Sequence, residues 1–267
     1  MRLLVSGLLR TDSGKTTTAI GILSRLREVG LKLAPLKPVA GHNAWYSFST
    51  LLRSVELGIL VGNDVLRYHD ELGADPLKVN PFDVLFGVPD PEFFRDNVRS
   101  YLNYLENGMP VMLRVSDCSS GNSTHLVTNS LRYLPGGLRK HVTELERKVS
   151  ATMVEESYVW DLVQKSWFLT DPCVKGKDVL IESYNDAAAP TPSSLATDFS
   201  LIVAPGRIFL YKGEDFRKVV EFLGSPWSVS SSEAFKYLKA LRSFHVEPLS
   251  PDSLGAVADF IANSHEG

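Results

Sequence analysis

Cysteine and net charge are both scarce in this sequence. Only Cys118 and Cys173 occur among 267 residues, and neither belongs to a CxxC pair. This spacing favours neither a disulfide framework nor a zinc site, so we expect two reduced thiols. The six histidines also lack metal-ligand spacing. Because the net charge is only −3, there is no general basic field for nucleic acid, and we expect no nucleic-acid partner.

Long apolar runs are missing as well. No stretch approaches the roughly 18 consecutive apolar residues of a membrane span. The N-terminal run MRLLVS is short and has no signal-type cleavage site after it. We therefore expect no membrane association and a cytoplasmic location. Repeats, low-complexity tracts and clear linkers are absent too, so we predict one domain over residues 1–267.

Short apolar runs alternate with helical patterns along the chain. Residues 2–6 read as a strand, Ile20, Leu23 and Leu26 have helical spacing, and LKLAPLKPV reads as a second strand. Such a βαβ unit favours a parallel sheet covered by helices. Further strand-like runs are PVMLRVSD, KDVLIES at 177–183, FSLIVAP at 199–205 and RIFLYKG. We predict an α/β fold like that of P-loop NTPases, with a mostly parallel sheet and helices on both faces.

Helical periodicity predicts several more elements. Five apolar residues share one face of a predicted helix, namely Phe94, Val98, Tyr101, Leu102 and Leu105. A second set predicts one long amphipathic helix, namely Leu138, Val142, Leu145, Val149 and Met153. The last helices are expected at about 214–223, 231–242 and 252–264.

The stretch GLLRTDSGKTTTAIGILSRL at 7–26 predicts a phosphate-binding loop between a strand and a helix. Six residues separate Gly7 from Gly14, more than in the usual motif, whereas Gly14-Lys15-Thr16 matches it. Glycine lets the backbone approach phosphate, lysine brings a positive charge, and the threonine hydroxyl suits Mg²⁺. The alternative is a helix start without a ligand. The expected nucleotide contacts are Arg10, Thr11, Asp12, Ser13, Gly14, Lys15, Thr16 and Thr17. No guanine-binding signature is visible, so ATP is the default nucleotide.

Polar residues at strand and helix ends are further candidates. Glu182 closes a buried run, where a carboxylate can serve a metal, although a surface position is the alternative. Lys37 ends the second strand, at the edge of a parallel sheet where ligands bind, or is merely solvated there. Asp64 stands at the start of a helix. His42 and Asn43 are candidate substrate contacts.

Taken in order, TDSGKTT, LAPLKPVAG, GND, VNPFDV and VLIESYNDAA resemble the motifs of dethiobiotin synthetase. The resemblance covers about residues 1–90 and 177–210, and extends to the wider P-loop class of partition ATPases and cobyrinic acid a,c-diamide synthase. It implies that Thr16, Asp64 and Glu182 are Mg²⁺ ligands. It also implies catalytic lysines, with Lys15 on the β/γ-phosphates and Lys37 near the transferred phosphoryl group. Enzymes of this family form a carbamate from a diamine and CO₂, and then activate it with ATP.

Three functions remain open at this point. One is an ATP- and Mg²⁺-dependent enzyme that activates a carboxylate or carbamate of an unidentified small molecule by phosphoryl transfer. Another is a nucleotide-dependent switch of the partition-ATPase type, which acts by dimerisation. Arg10 favours the switch, because it stands five residues before Lys15, where partition ATPases carry a second lysine. The third is a binding protein without turnover.

The region at about 107–175 is expected to be an insertion, because it has no counterpart in the resemblance. It could supply a different substrate pocket or a contact between subunits. We expect a homodimer.

Overall fold

The computed structural model describes residues 1–175, 178–247 and 251–265, with side chains left out at 251–253 and 265. Lys177, where one predicted strand begins, lies outside this part of the chain. Two compact units are present, the first made of residues 1–39, 67–79 and 167–267 and the second of 40–66 and 80–166. The prediction of a single domain over residues 1–267, with an insertion at about 107–175, stays a prediction. The strand-like runs all looked alike in the sequence, and nothing in them indicated that they belong to separate sheets.

The strands are β1 (Arg2–Gly7), β2 (Ala34–Leu36), β3 (Val39–Asn43), β4 (Phe82–Gly87), β5 (Met109–Ser116), β6 (Ser123–Thr128), β7 (Thr152–Val154), β8 (Val179–Glu182), β9 (Phe199–Ala204), β10 (Arg207–Lys212) and β11 (Arg242–His245). They form a six-stranded sheet in the order β11-β10-β9-β1-β8-β2 and a five-stranded sheet in the order β3-β4-β5-β6-β7.

The α-helices are α1 (Lys15–Glu28), α2 (Phe48–Leu57), α3 (Asn63–Leu72), α4 (Pro76–Val79), α5 (Val98–Asn107), α6 (Gly136–Val149), α7 (Glu156–Gln164), α8 (Ser166–Val174), α9 (Gly213–Leu223), α10 (Ser231–Phe235) and α11 (Pro251–His265). Short 3₁₀ helices occupy Pro91–Phe94, Asn129–Tyr133 and Pro192–Leu195.

The six-stranded sheet has a parallel centre. β1 pairs in parallel with β8 and β9, and β2 pairs in parallel with β8. β10 and β11 extend one edge with antiparallel pairing. The central strands are buried along most of their length, which explains why they read as continuous apolar runs.

The five-stranded sheet is mixed. β5 pairs antiparallel with β4 and β6, whereas β6 and β7 are parallel. The predicted α/β class is therefore confirmed, with helices flanking the sheets. The predicted mostly parallel sheet agrees with the six-stranded sheet, in which three of the five strand pairs are parallel, but not with the five-stranded sheet, in which β5 is antiparallel to both of its neighbours.

Proline divides the run that was predicted as a second strand. β2 ends at Leu36 in the first sheet, and β3 begins at Val39 in the second. Pro38 stands between them and has no backbone N–H to donate to a strand ladder. One apolar run therefore supplies a strand to each sheet.

Two predicted helices are shorter than expected. The long helix through Leu138 and Met153 ends at Val149, because Ser150 adopts a left-handed backbone with φ 51°, and β7 and α7 follow. The helix predicted at 231–242 is only α10, after which the chain becomes β11. In contrast, α9 and α11 agree closely with the helices predicted at 214–223 and 252–264.

Each unit has its own buried apolar cluster, centred on Leu4, Ile181 and Ile202 in the first and on Leu85, Met112 and Val142 in the second. Within the described residues, the helices are too short or too polar to cross a membrane. The expectation of two reduced thiols is wrong, because the described part of the chain contains no free cysteine.

Candidate functional site

The predicted phosphate loop connects β1 to α1. Gly14 precedes the first residue of α1 and has a left-handed backbone with φ 87°, and Asp12 is left-handed too, with φ 54°. Left-handed residues in such loops turn backbone N–H groups towards a common concavity that attracts anions. Ser13 is buried, and its Oγ donates to the carbonyl of Leu9 at 2.9 Å. The loop thus contains two left-handed residues, while its assignment as a phosphate-binding loop stays a prediction.

Gly7 lies where the loop folds back on the end of β1. A Cβ atom placed on Gly7 would come within 2.2 Å of Ser13 Oγ and 2.9 Å of Lys15 Nζ. Real Cβ atoms essentially never come this close to another heavy atom, so a side chain at Gly7 would force the side chains of Ser13 and Lys15 to move. Gly7 is thus close to Ser13 and Lys15, the two residues that flank Gly14, although six residues separate the two glycines.

Lys15 points towards the turn that follows β8. Its Nζ donates to the backbone carbonyl of Asn185 at 2.7 Å and lies 3.4 Å from Ser13 Oγ. Asn185 is exposed and has a left-handed backbone with φ 44°. The ammonium group therefore lies between the predicted phosphate loop and the turn that follows β8.

Glu182 is the meeting point of three side chains from different segments. Its Oε1 accepts hydrogen bonds from Thr16 Oγ1 at 2.9 Å and from Lys37 Nζ at 2.6 Å. Its Oε2 accepts from the hydroxyl of Tyr68 at 2.6 Å. All four residues are buried. A carboxylate in this position needs such partners, because an uncompensated buried charge is very costly.

Strand register explains why these side chains converge. Leu36 pairs with Ile181 across the parallel β2–β8 ladder, so the next residues, Lys37 and Glu182, emerge side by side. Val5 of β1 pairs with Glu182 from the other side. Thr16 arrives from the first turn of α1. The structure thus brings together three of the residues that the sequence marked out separately.

Tyr68 and Arg67 were missed by sequence reasoning. Both lie on α3, where Tyr68 is fully buried and donates to Glu182. Arg67 donates from Nη1 to Thr17 Oγ1 and from Nε to Glu71, each at 2.8 Å. In the sequence, Tyr68 could not be distinguished from the other apolar residues of the predicted helices. The one available signal was that the hydroxyl of a buried tyrosine usually has a polar partner.

The remaining predicted nucleotide contacts lie on the surface of the loop. Arg10, Thr11, Asp12 and Thr17 are exposed, and their contacts with a nucleotide stay predictions. Asp64 lies in the first turn of α3, in the segment 40–66 of the second unit. Thr16 and Glu182 belong to the first unit, and the assignment of Asp64 as a third Mg²⁺ ligand also stays a prediction.

His42 and Asn43 have partners within the second unit. His42 Nδ1 lies 3.3 Å from Asp83 Oδ1, and both side chains are buried. The side-chain oxygen of Asn43 accepts from the backbone N–H groups of Trp45 and Tyr46, which closes the turn after β3. Their role as substrate contacts stays a prediction.

The first unit offers oxygen donors of the kind that Mg²⁺ prefers. Among the described residues no three His, Cys, Asp or Glu side chains gather to form a metal cage. Mg²⁺, however, is commonly held by one or two protein groups together with water and substrate phosphates. The hydroxyl of Thr16 and the carboxylate of Glu182, 2.9 Å apart, fit that kind of site.

A cavity of about 1260 Å³ is lined in part by the predicted phosphate loop. Its lining comes from the loop and α1, from α3, from the β9–β10 turn and from α11, and includes Gly14, Thr17, Gly21, Arg67, Pro205 and Asp259. Lys37 and Glu182 do not line it. Cavities of several hundred Å³ hold ligands of nucleotide size. The Glu182 cluster therefore lies outside the lining of this cavity.

No family model matches this chain, and no curated protein or solved structure matches it either. The resemblance to dethiobiotin synthetase therefore rests on the sequence motifs alone. The P-loop assignment rests on the same motifs.

Proposed function

We propose that this protein binds a nucleotide, ATP by default, together with Mg²⁺ and transfers its terminal phosphoryl group. The observation that carries the proposal is the convergence of Thr16, Lys37 and Glu182 at the carboxyl end of the parallel strands. Open α/β sheets bind ligands at this end. A hydroxyl, an ammonium and a carboxylate beside a glycine loop are the groups that phosphoryl transfer requires.

Each residue has a defined part in this proposal. Lys15 exchanges the carbonyl of Asn185 for the β- and γ-phosphates, because an anion is a stronger partner for an ammonium than a neutral carbonyl. Thr16 and Glu182 are the residues that would hold Mg²⁺, which when bound neutralises charge on the phosphoryl oxygens. Lys37 provides a fixed positive charge for the transferred group, and the hydroxyl of Tyr68 holds Glu182 in place.

The acceptor is proposed to be a carboxylate or carbamate on a small molecule, as in dethiobiotin synthetase. The turn after β8 differs from that family, because it carries Tyr184, Asn185 and Asp186 instead of glycines. These side chains would contact the acceptor, so the substrate need not be the biotin precursor.

Calorimetric titration with ADP and with GDP, each with and without Mg²⁺, tests nucleotide binding. We expect magnesium-dependent binding of one nucleotide and a loss of at least about tenfold in affinity in Lys15→Ala, which removes a phosphate contact. Lys32→Ala is the matched control, because Lys32 is exposed and outside the loop. The proposal would be refuted if neither ADP nor GDP bound.

A switch of the partition-ATPase type is the second candidate, and the exposed position of Arg10 on the phosphate loop favours it. Phosphate release from ATP separates the two functions. A switch requires turnover per chain that rises with protein concentration and falls in Arg10→Ala. An enzyme requires turnover that is independent of concentration and is stimulated by a small carboxylate or amine.

A further inference from the structure

Helix α5 exposes its apolar side to solvent. Val98, Leu102 and Leu105 are 56%, 55% and 43% exposed, and no residue of this helix is buried. A neighbouring side of the helix is held in place, since Phe94 contacts the rings of Tyr101 and Tyr104. A row of large apolar side chains in water is unfavourable and often marks an interaction surface.

Two charges border this row in a self-complementary pattern. Arg99 and Glu106 are exposed and seven residues apart, so they lie on the same side of α5, next to Leu102. Leu102 stands almost midway between them along the helix axis. If a second α5 packs antiparallel with a two-fold axis near Leu102, Arg99 of each copy comes opposite Glu106 of the other.

The apolar row has the same symmetry. At about 1.5 Å per residue, an antiparallel copy places each Leu105 between Val98 and Leu102 of the other helix, and the two Leu102 side chains meet at the axis. A two-fold contact uses one surface twice, so it must complement itself in shape and in charge. The Val98, Leu102 and Leu105 row with its Arg99 and Glu106 border meets both conditions.

We propose that a second copy of this chain docks on α5, and that the homodimer forms through an antiparallel α5–α5 pair. This contact lies outside the motif-bearing segments and involves none of the nucleotide-site residues. It is therefore independent of the proposed function. It also differs from a switch dimer, which would form across the phosphate loop near Arg10.

Sedimentation equilibrium of the full chain over a wide concentration range tests the proposal. We expect a concentration-dependent dimer, and a monomer in Leu102→Glu, because two carboxylates would meet at the two-fold axis. Phe222→Glu on α9 is the control, since Phe222 is 86% exposed and lies on another helix. The proposal would be overturned if the wild-type chain were monomeric, which would leave this face to another protein. It would also be overturned if Leu102→Glu formed the dimer as tightly as wild type.

Charge reversal tests the antiparallel pairing and uses only exposed positions, where folding is not at risk. Arg99→Glu and Glu106→Arg should each raise the dimer dissociation constant about tenfold, because two attractive pairs become repulsive. The double variant should restore wild-type affinity. An equimolar mixture of the two single variants should form a heterodimer in which both pairs are attractive again. Failure of the mixture to associate more tightly than either variant alone would overturn the antiparallel arrangement.

Discussion

Lys37 Nζ lies 2.6 Å from Glu182 Oε1, and the two side chains are 5% and 1% exposed. Removing both charges from water costs several kcal/mol per ion, which their attraction repays only when the remaining polar atoms are also satisfied. Thr16 and Tyr68 supply those further hydrogen bonds to the carboxylate. Apolar residues of the same volume would fill the interior at lower cost. The retention of an ion pair here is therefore consistent with a role in ligand chemistry.

Lys37→Met should destabilise the fold by about 3–5 kcal/mol, because it leaves the carboxylate of Glu182 buried without its cation. Urea unfolding at neutral pH measures this loss. The double variant Lys37→Met/Glu182→Leu should recover most of it, since both charges are then gone. If the double variant were as unstable as Lys37→Met, the loss would come from packing and not from an unpaired charge.

Tyr68→Phe removes one hydrogen bond to Glu182 and leaves the ring in place. We expect the free energy of unfolding to fall by about 1.5–3 kcal/mol, the usual range for a hydrogen bond to a charged group. Tyr46→Phe is the control, because Tyr46 is 80% exposed and should tolerate the change. Equal stability of the Tyr68 variant and wild type would mean that this hydroxyl does not support the carboxylate.

Gly14→Ala should cost about 1–2 kcal/mol, because a side chain is strained in the left-handed conformation of Gly14, with φ 87°. The same substitution should also weaken nucleotide binding, because the strained residue would shift the backbone of the predicted phosphate loop. Gly137→Ala serves as the comparison, since Gly137 lies in α6 and a Cβ atom there meets nothing within 4 Å. That change should be neutral or stabilising by up to about 1 kcal/mol. Thermal unfolding and ADP titration report both effects, and identical behaviour of the two variants would contradict the prediction.

His125 should make the second unit sensitive to acid. Burial, helped by the charge of Arg114, lowers the pKa of His125 to about 4, and its Nε2 accepts from the backbone N–H of Leu60 at 3.2 Å. In the unfolded chain the pKa is about 6.5. Between these values only the unfolded state takes up the proton, so stability falls as the pH drops from about 6.5 to about 4 and this contribution then levels off.

Urea unfolding of wild type and His125→Gln across that pH range isolates the effect, because glutamine keeps an acceptor and cannot titrate. The variant should lose less stability than wild type on acidification. His245→Gln, at an exposed position, should follow the wild-type curve. Parallel curves for wild type and His125→Gln would exclude His125 as the titrating group.

Local signals made part of this site predictable. The glycine loop and the polar residues at the ends of β2 and β8 could be recognised because strand ends in a parallel sheet share one edge. Tyr68 could not, since its contact with Glu182 joins positions 114 residues apart and no local pattern reports such a pairing. The division of the strands between two sheets could not be predicted from the sequence either, because the periodicity of a strand does not show which strands pair with it.

The pairing of Leu36 with Ile181 determines where the chain can change in length during evolution. Insertions between α1 and β2 would enlarge a surface connection and leave the register of β2 intact, at a small entropic cost. One added residue between Ala34 and Lys37 would turn the lysine to the opposite face of the sheet, away from Glu182. Among related sequences, gaps should therefore be common before β2 and absent within it.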